Sequence, residues 1–400
     1  MKRVLFVDDE PGILDAIRAS LRKRRNEWDM HFVSNAGDAL AQLGRDSPVD
    51  VLVSDLRMAG GDGATLMEQV RARSPTTVRI MLSGYADERL ALRTVSLAHR
   101  FLLKPCATSV LELTIDRCLV VQALIGSAAV RAKLGGLGAL PSVPATFARL
   151  QSALADPAAD AKTVARVIES DPAIVAKILQ VVNSAFFRLP RRVERIEQAV
   201  SYLGLPAIMS LTLCAEIFSD ANPLPKALDL GQLQAHAMAV ARTARMLASG
   251  RLFSDEAFLA ALLHDVGLLV MARVYCEPLQ RVLSAAGTGP GLIAMEQELG
   301  IDHATAGGYL LGLWGCGYGV VDAVAHHHGR DDECHAELDM RGCVRLAEAA
   351  VGAVRPDLMP PYEMPDPLAG PELCRCVGSK ESWDRVCART GAGLAVGGAL

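Results

Sequence analysis

A chain of 400 residues has room for two or three domains, and 51% apolar with 22% charged residues is the balance of a soluble globular protein, not of a disordered one. The net charge of −4 leaves no basic footprint for nucleic acid. Ten cysteines imply reduced thiols and a cytoplasmic setting, because the Met1-Lys-Arg start and the short run Val4 to Val7 lead straight into three acids and do not make a secretory leader.

In chain order, Val4-Leu-Phe-Val7 predicts a buried strand, Gly12 to Arg24 a helix, and Val49-Asp-Val-Leu-Val-Ser54, Val78-Arg-Ile-Met-Leu82 and Phe101-Leu-Leu103 three more strands. Strands alternating with helices build a doubly wound α/β fold on a parallel sheet, whose sites lie at the carboxyl ends of the strands. Asp8 and Asp9 follow the first strand, Asp55 the second, Ser83 the third and Lys104 the fourth, so all five converge on one edge. The set suits phosphoryl transfer to a carboxylate. Asp8 and Asp9 offer hard oxygens to Mg²⁺, Asp55 is the nucleophile, and Lys104 is a fixed cation for phosphoryl oxygens. Ser83 can hydrogen-bond the phosphoryl group only once it is attached, which turns a local event into a signal. The basic run Arg22-Lys-Arg-Arg25 ends the predicted helix and reads as a solvated face.

Val7-Asp-Asp-Glu10, Ser54-Asp-Leu-Arg-Met58, Leu82-Ser-Gly-Tyr-Ala-Asp87 and Leu103-Lys-Pro105 resemble the receiver domain of bacterial two-component response regulators, over residues 1 to about 122. The resemblance implies Asp55 as phosphoacceptor, Asp9 as a direct Mg²⁺ ligand beside Asp8, and the backbone carbonyl of Arg57 as a further ligand. It also implies a cis bond before Pro105 and an aromatic switch at Phe101. Ala59 departs from the family, which often has proline there.

Beyond the receiver, Gly135, Gly136, Gly138 and Leu140-Pro-Ser-Val-Pro144 break regular structure, and a linker is placed at 123–136. From there to about Val354 the periodicity is helical throughout. The final receiver helix is expected over Thr108 to about Ile125, and Asp160 is a helix cap. The apolar run Ala257 to Val274 reads as one buried helix, because His264 and Asp265 at its middle would be costly in a bilayer. Phe186, Phe187 and Tyr202 read as core. Residues 355–400, proline-rich and then glycine-rich, read as an extended arm or weakly ordered tail.

Within this half, Leu140-Pro-Ser-Val-Pro144, Ile168-Glu-Ser-Asp-Pro-Ala173, Val182-Asn-Ser-Ala-Phe-Phe187, Ile196-Glu-Gln-Ala-Val200 and Tyr202-Leu-Gly-Leu205 are similar to the HDOD domain, an all-helical output module related to HD-type metal phosphohydrolases. The domain is assigned to 137–354. The resemblance supplies a candidate metal set: His236, the pair His264-Asp265, His303, His327 and His328, with Glu348 where an aspartate would often close the site. Imidazole and carboxylate together suit Zn²⁺, Fe or Mn²⁺. Three features speak against catalysis: Leu268 stands where catalytic relatives commonly carry lysine, Gly329-Arg-Asp-Asp332 lacks their Gly-Tyr-Pro, and Glu348 is one methylene longer than aspartate.

The two resemblances together imply a response regulator that takes a phosphoryl group from a sensor histidine kinase or phosphotransfer protein. Its output would be a non-catalytic binding domain, with a receiver-gated metal phosphohydrolase acting on a nucleotide or cyclic dinucleotide as the alternative. The expected partners are that kinase, a downstream protein and a second copy of the chain. No DNA-reading or membrane-spanning segment is expected.

Overall fold

The computed structural model describes residues 1–44, 48–58, 61–83, 97–125, 130, 134, 145–154, 159–171, 174–175, 178–179, 182, 193–217, 228–284, 291–314, 316–328, 338–360 and 379–395. Ala59, Gly135 to Pro144, Phe186, Phe187, Gly329 to Asp332 and the proline-rich part of the tail lie outside them, as do the side chains of Ser83 and Phe101. The chain divides into two compact units: Met1–Pro157 with Tyr309–Cys316, and Ala158–Gly308 with Gly317–Leu400.

The first unit is built on strands β1 (Lys2–Val7), β2 (Trp28–Val33), β3 (Val51–Asp55), β6 (Val78–Ser83) and β7 (Arg100–Leu103), all parallel, in the spatial order β2-β1-β3-β6-β7. Two short strands, β4 (Arg57–Met58) and β5 (Gly61–Asp62), form an antiparallel ribbon after β3. The helices are α1 (Pro11–Ser20), α2 (Ala36–Leu43), α3 (Gly63–Arg73), α4 (Thr108–Leu124) and α5 (Ala145–Leu154). The helix expected over Gly12 to Arg24 stops at Ser20 and tightens to a 3₁₀ turn over Arg22–Arg24. Val4, Leu5, Phe6 and Val7 are all buried, as are Val51, Leu52 and Val53. Strands covered on both faces show continuous apolar runs instead of alternation. The strand order reverses beside β1, so the crevice of this fold class opens between the carboxyl ends of β1 and β3.

At the opposite end of the sheet, His99 is buried with its Nδ1 accepting from the Arg79 backbone N–H at 3.0 Å, while the Arg79 guanidinium stands 3.2 Å from Nε2. Burial, and then the Arg79 charge, hold this imidazole well below its ordinary pKa. It stays neutral in the fold and charges in the unfolded chain below about pH 6.5, so the unfolded state binds the extra proton. Stability from this group is therefore complete above that pH and lost as pH falls, by up to about 1.4 kcal/mol per pH unit. Urea unfolding at pH 7 and pH 5 is expected to show a smaller acid loss in His99→Gln than in wild type; equal losses would reject the assignment.

The second unit is helical throughout its described residues: α6 (Ala161–Glu169), α7 (Ile196–Ile217), α8 (Leu230–Leu247), α9 (Ser254–Leu262), α10 (Val266–Val274), α11 (Cys276–Ser284), α12 (Leu292–Leu299), α13 (His303–Trp314), α14 (Tyr318–Ala325), α15 (Met340–Val354) and α16 (Lys380–Ala395). From Tyr309 onward, α13 is counted with the first unit. Asp160 caps α6, accepting from the Thr163 N–H at 2.8 Å. The helix α7 bends where Gly204 takes φ 79° ahead of Pro206.

Three expectations are corrected here. The apolar run Ala257 to Val274 is two helices, not one: α9 ends at Leu262 and α10 begins at Val266, with His264 and Asp265 in the turn between. The most apolar 18-residue stretch within Ser254–Val274 has a mean hydropathy of 1.8, yet 83% of it is buried inside the fold, so its apolarity is that of a core. In the segment read as an extended arm, Lys380–Ala395 is helical and packs on α15, burying Val386, Thr390 and Leu394 at four-residue spacing. Tyr202 is half exposed instead of core.

Candidate functional site

In the first unit, β1 delivers Asp8 and Asp9 and β3 ends on Asp55, and a carboxylate oxygen from each lies within 4.8 Å of the others. Asp8 and Asp55 are buried. Lys104, next after β7, places Nζ 2.8 Å from Asp8 Oδ2 and 2.8 Å from Asp55 Oδ1, and its bond to Pro105 is cis. The Leu56 N–H donates to Asp55 Oδ1 at 2.9 Å, and the Glu10 N–H to Asp8 Oδ1 at 3.0 Å. Burial pushes the Asp55 carboxyl up against the pull of Lys104, and the neighbouring Asp8 charge adds to the rise. Burial works against the Lys104 charge, yet Asp55 and Asp8 together hold its pKa above the ordinary lysine value.

Gly63 opens α3 against this pocket. A Cβ at that position would stand 2.1 Å from the Asp55 carbonyl oxygen, so only glycine lets α3 approach the end of β3 so closely. Arg57 lies in the ribbon paired with Asp62, two residues past Asp55. Ser83 pairs with Leu103 at the same end of the sheet. Three carboxylates against one ammonium leave a surplus of negative charge that a hard cation would balance, and the donor set fits Mg²⁺.

In the second unit, five segments bring together all seven residues singled out from the sequence. His236 comes from α8, His264 and Asp265 from the turn between α9 and α10, His303 from the first position of α13, His327 and His328 from the turn after α14, and Glu348 from α15. Asp265 is fully buried at the middle. Its Oδ2 faces His264 Nε2 at 3.2 Å and His236 Nε2 at 3.7 Å; its Oδ1 faces His303 Nε2 at 3.5 Å and His327 Nε2 at 3.7 Å. Neither oxygen makes a hydrogen bond of good geometry.

Two ligand groups flank this carboxylate, Asp265 with His303, His327 and His328, and His236 with His264 and Glu348; in each group the donor atoms lie within 4.8 Å of one another. His328 is the exposed member of the set. His326 turns away and its Nδ1 meets the Asp322 backbone carbonyl oxygen at 2.9 Å.

The electrostatics divide the imidazoles. Burial, with the adjacent His264, drives His236 down to about 3. Burial also opposes charge on His264 and His303, but Asp265 lifts His264 to about 9, and Asp265 with Glu296 lifts His303 to about 10. Burial raises Glu348, with the imidazoles pulling the other way. Nε2 atoms face each other at 3.2 Å between His236 and His264 and at 3.0 Å between His303 and His328. Such facing lone pairs need a shared proton or a cation between them. The donor set therefore fits a borderline transition metal.

Helix crossing brings these ligands together. A Cβ on Gly267 would lie 1.8 Å from the His303 carbonyl oxygen and 2.7 Å from the Gly307 nitrogen, so α10 and α13 cross backbone to backbone. Sequence reasoning missed Glu296, a buried carboxylate of α12 whose Oε1 lies 2.6 Å from His303 Nδ1. In Met295-Glu-Gln-Glu-Leu299 nothing distinguishes it from Glu298 except the burial that folding supplies.

The chain thus joins a doubly wound sheet carrying an acid pocket to a helical unit with a histidine and aspartate centre. The chain carries a response regulator receiver domain, matched over residues 4–116, and an HDOD domain, matched over 140–330. Over 125 residues it is 38% identical to the hydrogenase transcriptional regulatory protein HoxA of Cupriavidus necator, covering 31% of this chain and 25% of that one. It is 30% identical over 105 residues to the response regulator protein PilR of Pseudomonas aeruginosa, covering 26% of this chain and 23% of that one. The chain thus spans about a quarter of the length of these relatives. The crystal structure of an HDOD domain protein of unknown function from Geobacter sulfurreducens shares the helical fold, with a TM-score of 0.52 and 22% identity, over 64% of this chain and 90% of that one. Receiver and HDOD domains in one chain support a response-regulator type of function.

Proposed function

We propose that this protein is a phosphorelay response regulator whose receiver accepts a phosphoryl group on Asp55 from a sensor histidine kinase and passes the change to a non-catalytic HDOD output domain. The observation that carries the reading is Lys104, which bridges Asp8 and Asp55 at 2.8 Å to each. Oδ1 of Asp55 is held by Lys104 and the Leu56 amide, which supports Oδ2 as the oxygen that would attack phosphorus. The O–P bond forms as the P–N bond of the phosphohistidine breaks, and the electron pair stays on the imidazole. Lys104 is placed to follow the phosphoryl oxygens, with Ser83 as a further donor at the same edge. Mg²⁺ held by Asp8, Asp9, Asp55 and the Arg57 carbonyl would neutralise phosphoryl charge when bound. Phe101 would repack as the aromatic switch, biasing contacts with a downstream protein or a second copy.

Incubation of the whole protein with acetyl phosphate and Mg²⁺ is expected to add one phosphoryl group by intact mass, and none to Asp55→Ala. No addition to wild type overturns the reading.

The geometry around Asp265 favours a second reading, in which the HDOD centre holds metal and acts as a phosphohydrolase on a nucleotide or cyclic dinucleotide. A metal there would supply a Lewis acid and an activated water. Its ligands would be drawn from His236, His264, Asp265, His303, His327, His328 and Glu348. Buried Leu268 supplies no cation to bind a phosphate, which keeps this reading second. Elemental analysis of untagged wild type beside Asp265→Ala separates the two: metal lost with the aspartate favours the centre, and none in wild type even after incubation with metal removes it.

A further inference from the structure

We infer that Glu296 is the positioning residue of the HDOD centre, fixing His303 as an Nε2 donor; the inference rests on the metal reading of that centre. Three of its imidazoles are anchored through Nδ1. His264 Nδ1 lies 2.6 Å from the Ala261 carbonyl oxygen and His327 Nδ1 lies 2.7 Å from that of Val324. These anchors keep the proton on Nδ1 and turn Nε2 toward Asp265.

His303 has a different anchor. Glu296 Oε1 lies 2.6 Å from His303 Nδ1 and accepts from the His303 backbone N–H at 2.9 Å. One oxygen therefore sets both the ring and the first residue of α13. Glu296 is buried, and no lysine or arginine among the described residues pairs with it. Its charge falls on His303 alone, making that imidazole a stronger donor than the two anchored by neutral carbonyls.

The competing role is a plain helix cap, since Glu296 also meets an N–H at the start of α13. Asp302 is the control: its Oδ1 accepts from the Thr305 N–H at 2.6 Å, capping the same helix without touching the imidazole. In Glu296→Gln the amide oxygen can still accept both N–H groups, but the charge is gone.

The metal-free full-length protein and its variants are titrated with Co²⁺, following visible absorption, and their thermal midpoints are recorded. Glu296→Gln and Glu296→Ala are expected to weaken Co²⁺ binding by roughly 10- to 100-fold. Glu296→Gln keeps both N–H contacts but not the counter-charge of His303, so it should lower the thermal midpoint less than Glu296→Ala does, and Asp302→Ala should lose thermal midpoint but not Co²⁺ affinity. Wild-type affinity in Glu296→Gln, or an equal loss in Asp302→Ala, overturns the inference alone. No Co²⁺ uptake by wild type overturns the metal reading and this inference with it.

Discussion

Gly267→Ala is expected to lower the unfolding midpoint of the helical unit by roughly 6 to 12 °C, the equivalent of about 3 kcal/mol in a unit of this size. The added methyl meets backbone on both sides, the His303 carbonyl oxygen at 1.8 Å and the Gly307 nitrogen at 2.7 Å, and neither can rotate away as a side chain would. The helices α10 and α13 must separate, and they carry Asp265 and His303 apart with them. The clash therefore reaches the centre as well as the core. Differential scanning calorimetry checks the first effect and metal content the second. A variant that melts like wild type would show that this crossing is looser than the backbone contact requires.

Asp265→Ala is expected to be comparably severe for a different reason. The carboxylate is fully buried and held well below its ordinary pKa, because the imidazoles His264, His303 and His327 outweigh the burial that opposes its charge. Removing it leaves His264 without its main counter-charge and His303 with Glu296 alone. Breaking a buried pair from one side costs about 3 to 5 kcal/mol. Asp265→Asn keeps the volume but not the charge, and should fall between the alanine variant and wild type. Urea unfolding orders the three, and elemental analysis should find any metal held by the wild-type centre lost from both variants. Wild-type stability in the alanine variant would mean that the histidines are compensated elsewhere.

Much of the first unit could be read from the sequence, because strands buried on both faces leave unbroken apolar runs. The edge strand β2 is less legible, because Trp28-Asp-Met-His-Phe-Val33 has no unbroken apolar run and alternates only over its first five residues, until Val33 follows Phe32 and breaks the pattern. The α9 to α10 turn was hidden because its two polar residues are as buried as their apolar neighbours, and periodicity does not register a turn inside a core. Likewise α16 lay behind a glycine-rich composition, its four-residue repeat of buried positions visible only once α15 supplies something to pack on. All seven histidine and acidic candidates of the helical half are brought to one centre, Glu348 included despite its extra methylene. Glu296 stayed invisible for the opposite reason: a glutamate within a helix has a solvent-facing signature, and only the packing of α12 turns it inward.

The centre is also uneven in how far its parts travel during folding. Glu296 and His303 lie 7 residues apart, joined across a left-handed turn at Gly300, whereas His236 and His264 lie 28 apart on different helices. Closing a short loop costs little chain entropy, so the Glu296 and His303 pair can form before the rest of the helical unit is assembled. A nascent chain would then already hold one oriented imidazole, and a metal ion captured there early would bind the unfolded ensemble as well as the native one, diminishing the stability it confers.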